Sequence, residues 1–243
     1  MDRTDWLIEK RRESEERYDT LWAPLYGEKW GVYSNATHQQ FILKFLSLLP
    51  QHATILDAAC GAGRYMSMLL EKGRTVVGID QSQGMLSRAK ANFPTVRMEK
   101  VGLQEMFYHK VFEGAICVDA MEHVFPEDWT LVLSNFHRAL KLQGYLYFTV
   151  EIADANEVEG AFIRGQQLGL PVVYGEWADG DVYHYYPPIE QVREWIQQAG
   201  LGLMEEGDGD GYHHFVIRKA SLDIAAHPTT DKANAAQQWQ GVP

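Results

Sequence analysis

The apolar positions of this chain follow two spacings. Short, largely apolar runs stand at 53–57, 75–80, 114–119 and 145–150, and an alternating one, with Val96 and Met98, at 96–101. Between most of them lie longer stretches in which apolar residues recur every three or four positions. The first spacing predicts strands covered on both faces, and the second predicts helices with one inward stripe. Helices are expected over 63–71, over 83–92 with Met85, Leu86 and Ala89 inward, and over 127–141 with Trp129, Leu131, Val132, Phe136 and Leu140 inward. Ser82 precedes the second, Phe93-Pro94 closes it, and Gly144 reads as the stop of the third. Pro187-Pro188 opens a further helix over 189–199, ended by Gly200. Two strands, 201–206 and 213–218, then flank the turn 207–211 and predict an antiparallel hairpin. Five strands with crossover helices plus this hairpin give an α/β fold: a seven-stranded mixed sheet with helices on both faces.

Three stretches interrupt the rhythm. Residues 5–19 look helical, and 21–36 read as irregular and aromatic, with Trp22, Tyr26, Trp30 and Tyr33. These rings either seal the edge of the core or cover a ligand cleft. A helix over 37–48 follows, with Thr37 as a candidate cap and Pro50 at its end. Residues 151–187 are rich in glycine and aromatic residues, with helical character around 156–168, and are longer than an ordinary connector. The resulting layout is an N-terminal helix and aromatic cap (1–36), a main domain (37–219) with its insertion (151–187), and a flexible tail (220–243).

Composition narrows the class. At 243 residues and 46% hydrophobic, the chain can bury a sizeable core as one larger domain. No run approaches the ~18–20 apolar residues of a membrane helix, and the charged N-terminus lacks a signal-peptide core. Two cysteines, Cys60 and Cys117, point to a reducing, cytoplasmic setting rather than a disulfide framework. A net charge of −11 argues against a phosphate-tracking nucleic-acid surface. The histidines are scattered and the cysteines lack paired spacing, so no metal centre is expected. The pattern carries no signal for an oligomeric state.

Chemistry concentrates where the first predicted strand ends. Asp57-Ala-Ala-Cys-Gly61-Ala-Gly63 is a small-residue turn that lets a ligand approach the backbone. The next strand ends in Asp80, placed to accept hydrogen bonds from a ribose diol. Methionine at 66 breaks the Gly-x-Gly-x-x-Gly dinucleotide pattern, and Asp57 would repel a pyrophosphate. The same carboxylate suits a nucleoside bearing an ammonium group.

These residues resemble the first motif of the class I S-adenosylmethionine-dependent methyltransferases, with Ala59 where the family has its first glycine. The resemblance covers about residues 37–219 and implies a Rossmann-like fold with S-adenosyl-L-methionine as cofactor. Asp80-Gln81-Ser82-Gln83-Gly84-Met85 is similar to the second motif, which implies Asp80 and Gln81 at the ribose and Met85 near the adenine, although Met85 could equally be core. The third segment falls at Val101-Gly102-Leu103-Gln104-Glu105, where Gly102 replaces the usual acid and Leu103 and Gln104 would serve the adenine. Cys117 to Val124 resembles the fourth motif, which puts Asp119 beside the cofactor and Glu122 and His123 toward the substrate. The cofactor set implied by the resemblance is thus Asp57, Ala59, Cys60, Gly61, Gly63, Asp80, Gln81, Met85, Leu103, Gln104 and Asp119.

Methyl transfer needs alignment and water exclusion, plus a base where the acceptor must lose a proton. The base candidates are His123, Glu122, Glu151 and His184. His123 leads, because it follows the fourth strand and an unshifted imidazole titrates near ~6.5. No Asn-Pro-Pro-Tyr segment follows that strand, which together with the charge points to a small-molecule acceptor methylated on O or N. A methyltransferase of protein or RNA, or a non-catalytic S-adenosylmethionine-binding protein, is the alternative.

Overall fold

The computed structural model describes residues 1–30 and 35–220, with side chains of 27–30 left aside. Strands β1 (Thr54–Ala58), β2 (Thr75–Asp80), β3 (Arg97–Lys100), β4 (Phe112–Cys117), β5 (Leu140–Glu151), β8 (Leu201–Gly209) and β9 (Tyr212–Lys219) form one sheet in the order β3-β2-β1-β4-β5-β9-β8. The first five run parallel, and β9 is antiparallel to β5 and β8. This is the seven-stranded mixed sheet with a terminal hairpin that the apolar spacing predicts. Chain order reverses between β1 and β4, so a crevice opens at their carboxyl ends. Two layers of core lie on the sheet. One gathers Phe112, Trp129, Phe136, Phe148 and Phe215, and the other Ile42, Phe45, Met66 and Tyr147.

The helices are α1 (Arg3–Arg17), α2 (Ala23–Trp30), α3 (Ala36–Leu48), α4 (Met66–Leu70), α5 (Gln83–Asn92), α6 (Trp129–Ala139), α7 (Ala155–Gln167) and α8 (Ile189–Gln198). Several differ from expectation for local reasons. Asn35, not Thr37, caps α3: its side chain accepts from His38 N–H at 2.7 Å, while Thr37 N–H donates to Asp210. Helix α4 starts three residues late because Gly61 and Gly63 adopt φ of 53° and 86°, outside the helical region. Helix α6 ends at Ala139, and the Lys219 ammonium takes the carbonyls of His137 and Leu140 there. Leu140 already pairs with Phe112, so β5 starts well before Gly144.

Of the segment expected to be irregular, residues 21–30 are helical and 31–34 lie outside the described residues. A π turn, Tyr18–Trp22, joins α1 to α2 without a break. Trp30 side-chain placement and Tyr33 lie outside the described residues, as does the tail beyond 220. Within 151–187, α7 is followed by a separate two-stranded hairpin of β6 (Glu176–Asp179) and β7 (Val182–Tyr185). That hairpin docks on α1, where Trp6 meets Tyr183 edge-on at 6.0 Å. Among the described residues, no helix is long and apolar enough to cross a membrane.

Candidate functional site

A cavity of about 570 Å³ occupies the crevice, a size typical of small-molecule sites. Its first end is the turn after β1. Ala59 takes φ 55° and Gly61 φ 53°, and Cys60 N–H donates to Ile79 O at 2.9 Å, tying the turn to β2. Asp80 holds both turns in place. Its Oδ2 accepts from Gly61 N–H and its Oδ1 from Ser82 N–H, each at 2.8 Å. Burial pushes the Asp80 carboxyl up to about 6, against the pull of those two N–H groups. Asp57, 4% exposed, is pushed up to about 8 by burial and then by the charge of Asp80. Both can be ionised cheaply once a cationic or donor-rich group arrives.

Asp57, Ala59, Cys60, Gly61, Asp80, Gln81 and Met85 all line this end, and Leu103 and Gln104 line the adjoining wall. The carbonyls of Leu103 and Gln104 accept from the buried Asn135 amide at 2.9 Å, which fixes that loop. Gly63 is the exception among the expected cofactor residues. It does not line the cavity; a Cβ there would stand 2.9 Å from the Phe93 ring, so its role is close packing. The expected helix N-terminus is also missing from the turn, since α4 has only five residues. Met85 is buried against Ala23 and Ala62 and borders the cavity.

The second end gathers Asp119, Glu122, His123, Glu151 and His184, all on the cavity wall. Asp119 takes φ 54°, its N–H donates to Thr149 Oγ1 at 2.9 Å, and its Oδ2 accepts from Arg64 at 2.6 Å. Glu122 is buried, and burial with the charges of Asp119 and Glu151 holds its carboxyl far above the usual range. Its Oε2 has no hydrogen-bond partner.

His123 differs from its expected role. Its Nδ1 lies 3.2 Å from Tyr183 O, which only accepts, so Nδ1 carries the proton and Nε2 accepts from Tyr18 OH at 3.0 Å. Burial depresses the imidazole to about 3. It is a neutral ring with both nitrogens engaged, not a base titrating near neutrality. His184 stands edge-on to it at 4.9 Å. The His184 Nδ1 lies 2.9 Å from Glu151 Oε2 and 3.0 Å from Tyr186 OH, while Nε2 has no partner among the described residues. Glu151 Oε2 makes no hydrogen bond, so Tyr186 OH is the group that orients the ring, with the carboxylate beside it and the second nitrogen left open for a base.

The wall also holds Arg17, Tyr18, Trp22, Tyr26, Arg64, Tyr65 and Tyr212, of which sequence reasoning found only Trp22 and Tyr26, as candidate cleft covers. Arg64 directly follows the glycine turn, and that adjacency was its one available signal. Tyr18 sits in an apolar stripe and meets His123 across 105 positions, so nothing local marked it. Among the described residues, no group of three or more His, Cys, Asp or Glu is placed to hold a metal ion.

Known proteins of similar sequence and fold include methyltransferases, and the [4+2]-cyclase SpnF also superposes, at TM-score 0.65 and 15% identity over 85% of this chain and 96% of that one. A family model described as a methyltransferase domain matches residues 55–144. The putative methyltransferase YqeM of Bacillus subtilis is 31% identical over 214 residues, covering 74% of this chain and 85% of its own. A ubiquinone biosynthesis O-methyltransferase of Hydrogenovibrio crunogenus is 23% identical, over 78% of this chain and 77% of its own. In structure, the Burkholderia thailandensis 1,6-didemethyltoxoflavin-N1-methyltransferase, with bound 1,6-didemethyltoxoflavin and S-adenosylhomocysteine, superposes at TM-score 0.64 and 18% identity, over 87% of this chain and 90% of that one. Sheet order, crevice and sequence kinship agree: the chain belongs to the class I S-adenosylmethionine-dependent methyltransferase family.

Proposed function

We propose that this protein moves a methyl group from S-adenosylmethionine to an oxygen or nitrogen atom of a small molecule. The observation that carries the reading is the division of one roofed cavity. Asp57, Gly61 and Asp80 stand at one end and the His184–Glu151 pair at the other. The wall fits the cofactor. It is rich in acceptors, and the buried Asp119 Oδ1, 3.7 Å from His38 Nε2, and Glu122 Oε2 make no hydrogen bond, which suits a ligand bringing a ribose diol and an ammonium. In this reading Asp80 accepts from the diol, Asp57 faces the ammonium, and Met85, Leu103 and Gln104 border the adenine.

When bound, S-adenosylmethionine supplies an electrophilic methyl on a good leaving group. The chain supplies the rest. His184 Nε2, on a ring held at Nδ1 by Tyr186 OH with the Glu151 carboxylate beside it, takes the acceptor proton as the nucleophile attacks. His123 stays neutral and holds Tyr18, so the roof of the site is fixed in place. Residues 1–36 act as a cap that excludes water, and 151–187 shape the acceptor side. Enclosure by Tyr18, Trp22 and Tyr26 favours a small acceptor over a protein or RNA. The two free, buried cysteines fit a cytosolic setting.

The test is S-adenosylhomocysteine release over a panel of phenols, amines, acids and thiols. Turnover on at least one of them, lost in His184→Ala with cofactor binding kept, supports the reading. Cofactor binding without release on any acceptor makes this a binding protein instead.

A further inference from the structure

Helix α1 carries five cations, and four have carboxylate partners. Arg3 pairs with Glu127 and Glu176, Lys10 with Glu13, Arg11 with Glu105 and Asp128, and Arg12 with Glu9 and Glu16. Arg17, the last residue of the helix, is different. It is 7% exposed and lines the cavity. Its guanidinium carbon lies 5.6 Å from the centre of the neighbouring Tyr18 ring. Its Nε is buried without a partner, and among the described residues no carboxylate stands within ion-pair distance.

That arrangement is costly as it stands. Removing a cation from water costs several kcal/mol unless an anion and hydrogen bonds replace the water. An arginine side chain has no neutral form to retreat to. The cavity acids do not serve it: Asp80 is held by two backbone N–H groups and Asp119 by Arg64. The chain also makes a π turn right after Arg17, a widened geometry that recurs at functional sites. The turn brings Arg17, Tyr18 and Trp22 together on the cavity wall.

We propose that Arg17 anchors a carboxylate carried by the methyl acceptor, so that the substrates are small monoanionic organic acids with a nucleophilic oxygen or nitrogen. This rests on the methyl-transfer reading above and names the substrate class of that site. A guanidinium fork matches a carboxylate with two parallel hydrogen bonds. The surrounding Asp57, Asp80, Asp119 and Glu151 disfavour a more highly charged anion. Arg17 adjoins Tyr18, which is bonded to His123, and His123 meets His184 edge-on at 4.9 Å. A carboxylate on Arg17 therefore sits on the acceptor side and leaves the far end of the same molecule for the open His184 nitrogen.

The test uses full-length protein saturated with S-adenosylhomocysteine and titrated with matched pairs: 3-hydroxybenzoate against 3-hydroxybenzamide, and phenylacetate against phenylacetamide. The acid should bind at least tenfold tighter than its amide. Arg17→Met should abolish that preference and Arg17→Lys should restore part of it, with S-adenosylhomocysteine affinity within twofold of wild type in both. Equal affinity within each pair, immeasurable affinity included, overturns the proposal. So does an Arg17→Met protein that loses tenfold or more in S-adenosylhomocysteine affinity, which assigns the guanidinium to the cofactor carboxylate. Failure of methyl transfer itself would appear separately, as no S-adenosylhomocysteine release from S-adenosylmethionine with any acceptor.

Discussion

The two ends of the cavity are built in opposite ways. At the cofactor end, the turn after β1 and the tip of β2 close on each other through Asp80 and Gly61, only 19 positions apart. At the acceptor end, Tyr18 reaches His123 across 105 positions, and His123 reaches Tyr183 across 60. The first end is part of the sheet and moves only if the sheet does. The second exists only while α1 and the β6–β7 hairpin are docked. Damage to the first should therefore appear as lost cofactor affinity, and damage to the second as lost turnover with cofactor affinity intact.

The largest effect should come from the acceptor end. His184→Ala is expected to lower kcat by about 10²–10⁴, the usual span for a proton-transfer group, with cofactor affinity within twofold. His123→Gln should cost about tenfold or less, since that ring holds Tyr18 and takes no proton. If steady-state assays give the two variants the reverse ranking, the assignment of the base is wrong. Next in size, Asp80→Ala should weaken S-adenosylhomocysteine binding about 100-fold, as two charge-assisted hydrogen bonds, each at the low end of roughly 1.5–3 kcal/mol, are together worth about 3 kcal/mol. Calorimetric titration reporting an unchanged Kd would remove Asp80 from the cofactor site.

Gly63→Ala separates packing from binding. Its φ of 86° and the Phe93 ring 2.9 Å from the added Cβ should cost about 1–3 kcal/mol, a Tm fall of some 2–4 °C per kcal/mol, with no further loss of cofactor affinity. An unchanged Tm would contradict the close contact.

The pH dependence distinguishes the ends in a different way. Asp57 and Asp80 have folded values raised to about 8 and about 6. Their contribution to stability is full below the ordinary carboxyl range near ~4 and is lost as pH rises through those values. His123 is depressed to about 3, so its contribution is full above ~6.5 and is lost as pH falls through 3. A ligand ammonium beside Asp57 offsets the first loss. The rise in Tm on adding S-adenosylhomocysteine should thus grow between pH 6 and 8, equivalent to about tenfold in affinity for ~1.4 kcal/mol. A constant rise across that window would mean that Asp57 does not meet the ammonium. The smallest effect is Ala59→Gly. It relieves a left-handed alanine at φ 55°, a strain of about 1–2 kcal/mol partly offset by glycine's unfolded-state entropy. A net gain in Tm of a few degrees or less is expected, and a clear fall would count against the strain.

The contrast also explains what could be read from the residues alone. Strand and helix spacing gave the sheet, because burial on two faces or on one stripe writes a period into the chain. The cofactor end was legible because short-range turns need particular residues: glycine or alanine at positive φ and an acid where β2 ends. Gly63 was misplaced because a glycine needed for packing against Phe93 looks the same in sequence as one that faces a ligand. The acceptor end carried no such code. His123 was chosen for its position after β4, but its state is set by Tyr18 and Tyr183, which arrive from distant elements. The π turn at Tyr18–Trp22 lies in a stretch whose glycine and aromatic content imitates a loop. Arg17 was invisible for a similar reason: in sequence it is one more charge on a highly charged helix.

The way α1 is fastened has a kinetic meaning. Trp6 is buried against Tyr183, while Arg3, Arg11 and Glu15 hold on through ion pairs to Glu127, Glu176, Glu105, Asp128 and Lys100. One aromatic pivot with a row of charged latches makes ionic strength the throttle on the doorway. Added salt screens the latches and spares the pivot, so product should depart faster before the fold itself weakens. Stopped-flow displacement of S-adenosylhomocysteine at rising salt reads that rate directly. A release rate indifferent to salt would mean the doorway swings elsewhere.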